Sequence, residues 1–150
     1  MVRHMIKGAS MLMLLSALSL VAVVSAKAQN SARAQYANIP FDFMAGDKEL
    51  SAGRYRVARI DPSGQTISVR GVEGSEGSLA LTNTINHLNP STQSKLVFHK
   101  YGNSYFLSEV WIAGDTTGRQ FRETKMEKAT RRELTASRSY QRVEVAIARD

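Results

Sequence analysis

The sequence contains no cysteine, so neither a disulfide nor a thiol can contribute to its fold or its chemistry. This absence excludes disulfide-stapled scaffolds, cysteine-ligated zinc sites and cysteine hydrolases. Without its first 28 residues the chain still has about 120, which is enough to bury a core without cross-links. We therefore expect a fold held together by apolar packing.

The sequence also lacks an apolar run of about 20 residues, the length that a helix needs to cross a bilayer. Its longest run, Met11–Val24, is shorter and follows a basic N-terminus. Ala26 and Ala28 then supply small residues at the two positions that a signal peptidase reads. We therefore predict that residues 1–28 are a signal peptide, cleaved after Ala28 or alternatively after Ala26. The mature protein is then periplasmic or secreted and has no transmembrane span.

Most of the mature chain has no excess of positive or negative charge. The positive excess is concentrated in one segment. Residues 1–28 carry three basic residues and no acid, so the net charge falls from +7 to +4 without them. Gln29–Gly118 has eight basic and eight acidic residues, whereas Arg119–Arg142 has eight basic and three acidic residues. This pattern predicts a solvated basic helix face, and a contact of Arg119–Arg142 with an anionic envelope surface or a small ligand is the alternative. Export argues against nucleic acid as the partner.

Motifs of catalysis and of metal binding are missing as well. No serine lies in a Gly-x-Ser-x-Gly turn. The histidines of the mature chain, His87 and His99, have no carboxylate or second histidine at ligand spacing, and Asp47 and Glu49 lack the further oxygen ligands of a calcium loop. We therefore predict a non-enzymatic protein without catalytic residues, metal or cofactor. A hydrolase that uses carboxylates with His99 or His87 is an alternative.

What the sequence does have is the alternation of apolar and polar residues that is typical of strands, first seen in Ile39–Val57. One face of this stretch is predicted to point inward, and its residues are Ile39, Phe41, Phe43, Tyr55 and Val57. Leu50 is predicted to be tucked inward between the two strands. The preceding residues 29–36 have no period and are predicted to be a flexible lead-in, so that the single β domain covers residues 37–150.

Two loops have the residue composition of turns. Asp61-Pro-Ser-Gly64 has the pattern of a type I turn and predicts a hairpin between Tyr55–Ile60 and Thr66–Arg70. Gly71–Gly77 has three glycines, which could suggest a phosphate-binding loop. Such a loop needs a following helix, and the residues that follow Gly77 have a strand pattern instead. We therefore predict a mobile hairpin loop there.

The clearest hairpin joins Lys95–Tyr101 to Ser104–Ile112 through Gly102-Asn103, which suits a type II′ turn. Pairing Tyr101 with Ser104 sets the register and places His99 opposite Phe106 as a half-buried histidine. The other side of this pair would then carry Leu96, Phe98, Lys100, Tyr105, Leu107, Glu109 and Trp111. Because both sides are largely apolar, the pair is predicted to belong to a closed barrel or a sandwich.

Four residues of this hairpin form the densest group of aromatic and cationic side chains in the sequence: Lys100, Tyr101, Tyr105 and Trp111. Aromatic side chains bind sugars and flat ligands, although aromatics on adjacent strands also serve sheet packing. We favour a role in sheet packing for the group and keep it as a speculative ligand contact. A lipocalin-like carrier of a small apolar ligand is the other binding hypothesis, and it requires a cavity between the strands.

Beyond a predicted loop at Ala113–Gly118, the period changes from strand to helix. Thr124-Lys-Met-Glu127 fits a capping box, in which the threonine caps the helix and the glutamate reaches back. We predict a surface helix over Lys125–Ser137 with a thin apolar stripe, formed by Met126, Ala129 and Leu134. Alternation in Val143–Ile147 predicts a closing strand. The whole chain thus predicts a mainly β fold, a small antiparallel barrel or sandwich of about seven strands with one helix near the C-terminus.

The Pro-Phe-Asp-Phe-Met-Ala-Gly46 stretch, the Leu50-Ser-Ala-Gly-Arg-Tyr55 stretch and the hairpin Lys95–Trp111 resemble those of small secreted proteins from soil bacteria of the acidobacterial type. The resemblance covers most of the mature chain and brings no known activity with it. Leu-x-Ala-Gly-x-Tyr is also similar to a hairpin of extracellular immunoglobulin-like modules. Ser51 stands where the related sequences have proline, so this turn is predicted to be less rigid.

Overall fold

The computed structural model describes residues 35–134 and 140–149, in which ten strands and one helix are found. The predicted signal peptide and its cleavage residues, Ala26 and Ala28, lie outside the described residues. The strands are β1 (Gln35–Ile39), β2 (Phe43–Ala45), β3 (Lys48–Leu50), β4 (Gly53–Arg59), β5 (Thr66–Gly71), β6 (Gly77–Asn86), β7 (Lys95–Tyr101), β8 (Ser104–Trp111), β9 (Thr117–Phe121) and β10 (Gln141–Arg149). The helix, α1, is Lys125–Glu133.

Eight of the strands form a closed antiparallel barrel, which runs β8-β7-β10-β1-β4-β5-β6-β9 and returns from β9 to β8. Closure leaves the ring without a free sheet edge. The remaining hairpin, β2–β3, lies beside β8 through a parallel pairing of Met44 with Phe106. The prediction of a mainly β fold with a helix near the C-terminus is confirmed, and of the two predicted architectures the barrel is the one that forms.

The first strand begins earlier than predicted. Gln35 and Tyr36, assigned to a flexible lead-in, already belong to β1 and pair with Val57 and Arg56 of β4. The other edge of β1 pairs with β10. The prediction was wrong at these two residues because a polar strand start has no apolar period, and its two partner strands lie far away in sequence.

The interior of the barrel contains one cluster of buried side chains. Its members are Ala37, Ile39, Phe43, Ala45, Leu50, Tyr55, Val57, Ile67, Val69, Leu96, Phe98, Leu107, Val110, Phe121 and Ile147. The inward positions predicted in Ile39–Val57 are therefore confirmed, except that Phe41 is only partly buried against the cluster. Phe43 and Phe98 meet edge to face with ring centroids 5.4 Å apart, a favourable geometry for aromatic pairs.

The predicted hairpin between β4 and β5 forms around the Asp61 turn. The amide of Gly64 donates to the Asp61 carbonyl at 2.9 Å, and Gly64 takes a φ of 65°, which favours glycine. Hydrogen bonds from the Ser63 hydroxyl and from the Thr66 amide lower the pKa of Asp61 to about 2. The Gly71–Gly77 stretch also joins two strands, as predicted, because β5 ends at Gly71 and β6 begins at Gly77.

The main hairpin, β7–β8, keeps the predicted register from Tyr101–Ser104 to Phe98–Leu107 and then changes it. Phe98 pairs with Leu107 and the next residue of β7, Val97, pairs with Glu109. Ser108 therefore has no partner in β7 and is one extra residue in β8. Such a β-bulge shifts every later residue of the strand to the opposite face. The prediction was therefore wrong for the end of β8: Val110 joins the interior cluster, while Glu109 and Trp111 lie on the outer face.

The predicted loop at Ala113–Gly118 is also wrong at its end, because β9 begins at Thr117. Gly118 lies against the indole of Trp111 on the outer face. A Cβ atom at Gly118 would stand 2.7 Å from Cδ2 of Trp111, so only glycine allows this approach. A strand of five residues with a glycine inside it is difficult to predict from an alternation pattern.

The helix is shorter than predicted and turns a different face to the barrel. It ends at Glu133 with Leu134 as its C-cap, and residues 135–137 lie outside the described residues. Met126 and Leu134 of the predicted apolar stripe are 56% and 39% exposed, whereas Glu127 is 6% exposed. The surface position of α1 agrees with the prediction, but its contact with the barrel is polar. Within the described ranges, no helix has the length and hydropathy to cross a membrane.

Candidate functional site

A groove of about 510 Å³ lies between α1 and the outer face of the barrel, next to β6–β9. Most of its lining is polar or charged: Asn83, His99, Tyr101, Ser108, Gln120, Phe121, Arg122, Glu123, Glu127, Lys128, Arg131 and Tyr140. The strands present these residues by alternation, since Phe98 next to His99 and Phe121 next to Gln120 belong to the core cluster. The helix supplies the opposite wall.

A buried carboxylate forms the floor of the groove. Oε1 of Glu127 lies 3.0 Å from Nδ1 of His99 and 3.4 Å from the hydroxyl of Tyr101. The backbone amide of Glu127 donates to Oγ1 of Thr124 at 3.1 Å, which is the predicted N-cap. The second half of the capping box is not formed, because the carboxylate turns to the barrel and not to the start of the helix.

This contact fixes the orientation of the histidine ring. An ionised carboxylate only accepts hydrogen bonds, so Nδ1 of His99 donates to Glu127 and carries the proton. In the neutral ring, Nε2 is then an acceptor, and it has no hydrogen-bond partner within residues 35–134 and 140–149. Burial and the neighbouring charge of Glu127 raise the pKa of Tyr101 to about 12, so its phenol stays a donor at neutral pH.

The rim of the groove is cationic. Arg131 pairs with Glu123, with Nε and Oε1 2.8 Å apart. Arg122 and Lys128 also line the groove, and neither makes an ion pair in the described part of the chain. The ring of Tyr140 lies over His99 with the centroids 4.0 Å apart. The groove therefore combines two cations that have no ion-pair partner among the described residues, an aromatic face and a polar floor.

The four candidate ligand contacts of the β7–β8 hairpin do not form one surface. Lys100 and Tyr105 lie together, with Nζ of Lys100 5.3 Å from the centre of the tyrosine ring, and Phe41 stacks on Tyr105 at 3.8 Å. Tyr101 is on the other face of the sheet and belongs to the groove. Trp111 is at the far end of β8, so of the four only Tyr101 lines the groove.

Trp111 belongs instead to a second polar cluster on the outer face. Its indole nitrogen donates to Oε2 of Glu109 at 2.7 Å, and Nη2 of Arg142 lies 3.0 Å from the same oxygen. The imidazole of His87 covers the indole with ring centroids 4.0 Å apart. Both Trp111 and Glu109 are less than 9% exposed. Because its hydrogen-bonding groups are paired with each other, this cluster is best explained as packing of the outer wall.

The basic segment Arg119–Arg142 is likewise divided by the fold. Arg119 donates to Thr84 and to the Ser63 carbonyl, and Arg142 is held by Glu109 and Glu144. Arg138 lies outside the described residues. The exposed basic side chains of the segment are thus mainly those of α1 and of Arg122 before it. Among the described residues, no group of three or more histidines, aspartates and glutamates could hold a metal ion.

The comparisons with known proteins add nothing to this geometry: no family model, no curated protein and no solved structure matches the chain. The resemblance to small secreted proteins of soil bacteria therefore stays a prediction.

The pairing of His99 with Glu127 was missed by sequence reasoning. The two residues are 28 positions apart and lie on a strand and on a helix. Locally, Glu127 was fully explained by its place in a capping box, so nothing marked it as a buried residue. The one available signal was the thin apolar stripe of the helix, since a helix with so little apolar surface needs polar contacts to stay on a barrel.

Proposed function

We propose that this protein is an exported, non-enzymatic binding domain that holds a small anionic ligand in the groove between α1 and β6–β9. One observation carries the proposal: among the described residues, Arg122 and Lys128 line the groove without an ion-pair partner, and Glu127 on the floor accepts hydrogen bonds from His99 and Tyr101. Glu127 keeps its negative charge in these hydrogen bonds, so the groove lining has three basic residues, Arg122, Lys128 and Arg131, against two acidic ones, Glu123 and Glu127. The excess of one positive charge on the rim remains available to an anionic ligand.

The other groups of the groove narrow the chemistry of this ligand. The side-chain amides of Asn83 and Gln120 can donate to and accept from hydroxyl or carbonyl groups. Tyr140 offers a ring face on the side of His99. Arginine and lysine bind carboxylates, phosphates and sulfates. The groove thus suits a small polar molecule that carries one such anionic group.

The test is a binding screen with small carboxylates, phosphate esters and sulfated sugars, read by ligand-observed NMR and followed by calorimetry. We expect an anionic compound to bind, and the double variant Arg122→Ala/Lys128→Ala to weaken its binding about tenfold or more, because charged hydrogen bonds are lost. The matched control is Lys125→Ala/Arg132→Ala. These two residues are exposed on the same helix and do not line the groove.

Two results would contradict the proposal. Neutral analogues that bind as tightly as the anions would show that the cations of the rim do not select the ligand. An equal loss of affinity in the Lys125→Ala/Arg132→Ala control would show that net charge alone attracts the anions, without a defined site.

A hydrolase is a second candidate, favoured by the contact that orients His99. With Nδ1 held by Glu127, Nε2 could take a proton from water while the water oxygen attacks an ester carbonyl, and return it to the departing alcohol. Ser108 lines the same groove but makes no hydrogen bond to His99, so water is the better nucleophile. Hydrolysis of p-nitrophenyl acetate that His99→Gln abolishes and His87→Gln leaves intact would favour this candidate. A rate equal to that of His99→Gln would exclude it.

The carrier hypothesis receives less support, since a cluster of buried apolar side chains lies between the strands and the described groove lies outside the wall. Export itself rests on residues 1–28. Mass spectrometry of protein recovered from the exported fraction tests it: we expect an N-terminus at Gln29, or at Lys27 with the alternative cleavage. An intact N-terminus in the cytoplasmic fraction would contradict export.

A further inference from the structure

The outer face of β4, β5 and β6 is a second surface with unusual composition. The registers of these strands align its residues in three rows. The first row is completed by the amide of Ile60, which donates to the Thr66 carbonyl at 3.1 Å. In order along the strands, the rows are Ile60, Thr66 and Leu81; Ala58, Ser68 and Leu79; and Arg56, Arg70 and Gly77. We call these nine residues the β4–β6 face.

Three large aliphatic side chains of this face are in contact with solvent. Leu79 is 67% exposed, Leu81 is 57% exposed and Ile60 is 54% exposed. Single exposed aliphatic residues are ordinary on protein surfaces. Ile60 and Leu81 share the first row, and Leu79 lies in the second. Ala80, between the two leucines, packs against the core, so the leucines point to the outer face by alternation. An apolar patch of this kind indicates an interaction surface.

The charge of the β4–β6 face has one sign. Arg56 and Arg70 pair directly across β4 and β5, and both are exposed. Like charges in this position repel each other, and neither arginine has a partner within the described residues. None of the nine residues is acidic. Glu73 and Glu76 lie in the loop beyond the arginine row, and Asp61 is engaged in its own turn.

We propose that the β4–β6 face binds the surface of a bilayer that contains anionic phospholipids. Arginine side chains pair with lipid phosphates, and aliphatic side chains beside them enter the boundary between headgroups and acyl chains. The exposed basic side chains of α1 suit this partner less well, because Glu123 and Glu133 are interspersed with them and are also exposed. The charge of the face selects an anionic surface, and its apolar rows favour a lipid over a soluble anion.

The test is co-sedimentation of the full chain with vesicles of phosphatidylglycerol and phosphatidylcholine, compared with vesicles of phosphatidylcholine alone. All variants are produced with the same N-terminus, so differences between them report on the barrel. We expect binding to the anionic vesicles that Arg56→Gln/Arg70→Gln weakens about thirtyfold, from the loss of two charges at the surface. Leu79→Ser/Leu81→Ser should weaken it about tenfold or more.

The matched control is Lys125→Gln/Arg132→Gln, which removes the same charge from α1 and should leave vesicle binding unchanged. Circular dichroism and melting temperature should be unchanged in all three variants, since the substituted side chains are exposed. Binding of the anionic vesicles by Arg56→Gln/Arg70→Gln that equals binding by the wild type would overturn the proposal. Loss of binding in the α1 control would assign the membrane contact to Arg119–Arg142 instead. A dimer that Leu79→Ser/Leu81→Ser dissociates would show that the face binds a second copy of the chain.

Discussion

The two sides of the barrel wall share one core but differ on their outer faces. In β7 and β8 both faces are buried. Phe98 points inward and Trp111 points outward, and each of these side chains is at most 1% exposed. In β4–β6 only the inner face is buried: Val57 is 4% exposed, whereas Leu79 on the outer face is 67% exposed. The first wall is covered by α1 and by the Trp111 cluster, whereas no helix or strand of the described residues covers the outer face of the second wall.

This difference shows that covering a wall and packing a core are achieved by different contacts. The core consists of apolar side chains, whereas α1 contributes Glu127 as its buried residue and leaves Met126 exposed. The helix α1 is therefore held on the wall by the hydrogen bonds of Glu127 with His99 and with the hydroxyl of Tyr101. Such contacts depend on geometry and on protonation, which makes the covered wall the more sensitive of the two to single substitutions.

The largest effect is expected for Trp111→Ala on the covered wall. Removing this buried ring leaves a cavity beside Gly118 and should lower the free energy of unfolding by about 3–5 kcal/mol. Leu79→Ala on the bare wall is the matched substitution and should change it by less than about 0.5 kcal/mol. Urea unfolding of both variants measures the difference. Similar costs for the two would remove the distinction between the walls.

Glu127→Ala should have the next largest effect. It leaves Nδ1 of His99 and the hydroxyl of Tyr101 without their acceptor, which costs about 1–3 kcal/mol. Glu133→Ala in the last turn of the same helix is exposed and serves as the control. If both substitutions cost the same by urea unfolding, the carboxylate contact does not hold α1 on the wall.

Thr124→Ala should be milder. Its hydroxyl accepts one hydrogen bond from the amide of Glu127, and loss of such a cap costs about 1 kcal/mol. Thr124→Ser keeps the hydroxyl and should be close to the wild type in chemical denaturation. A Thr124→Ser variant as unstable as Thr124→Ala would assign the effect to the lost methyl group instead of the cap.

The smallest effect at neutral pH belongs to Tyr101, whose pKa is raised from 10.0 to about 12 by burial and by Glu127. Because the fold favours the neutral phenol, this stabilisation is complete below pH 10 and is lost as the pH rises to about 12. The free energy of unfolding should thus fall less steeply over this range in Tyr101→Phe. Tyr55 also has a raised pKa, so the comparison is between the two slopes. Identical slopes would show that Tyr101 does not titrate with unfolding.

Local patterns predicted much of the fold because hairpins are specified by neighbouring residues. Alternation placed Tyr55 and Val57 in the core, and the turn residues Asp61 and Gly102 marked two of the hairpins. The candidate site could not be predicted in the same way. His99 was placed on the correct face, but its partner comes from an element that contacts the barrel only after both have formed.

The sequence by itself determined the mainly β class, most of the strand faces and the helix start at Thr124, because each depends on a period or a capping residue within a few positions. The tertiary structure alone decided the closure of the barrel, the outward position of Trp111 and the burial of Glu127. Closure requires pairing between strands that are distant in sequence, as in β1 with β10. One residue without a partner in β7, Ser108, reverses the faces of β8 beyond it. A carboxylate is buried only where hydrogen-bond donors reach it, and those of Glu127 lie on a strand that is distant in sequence.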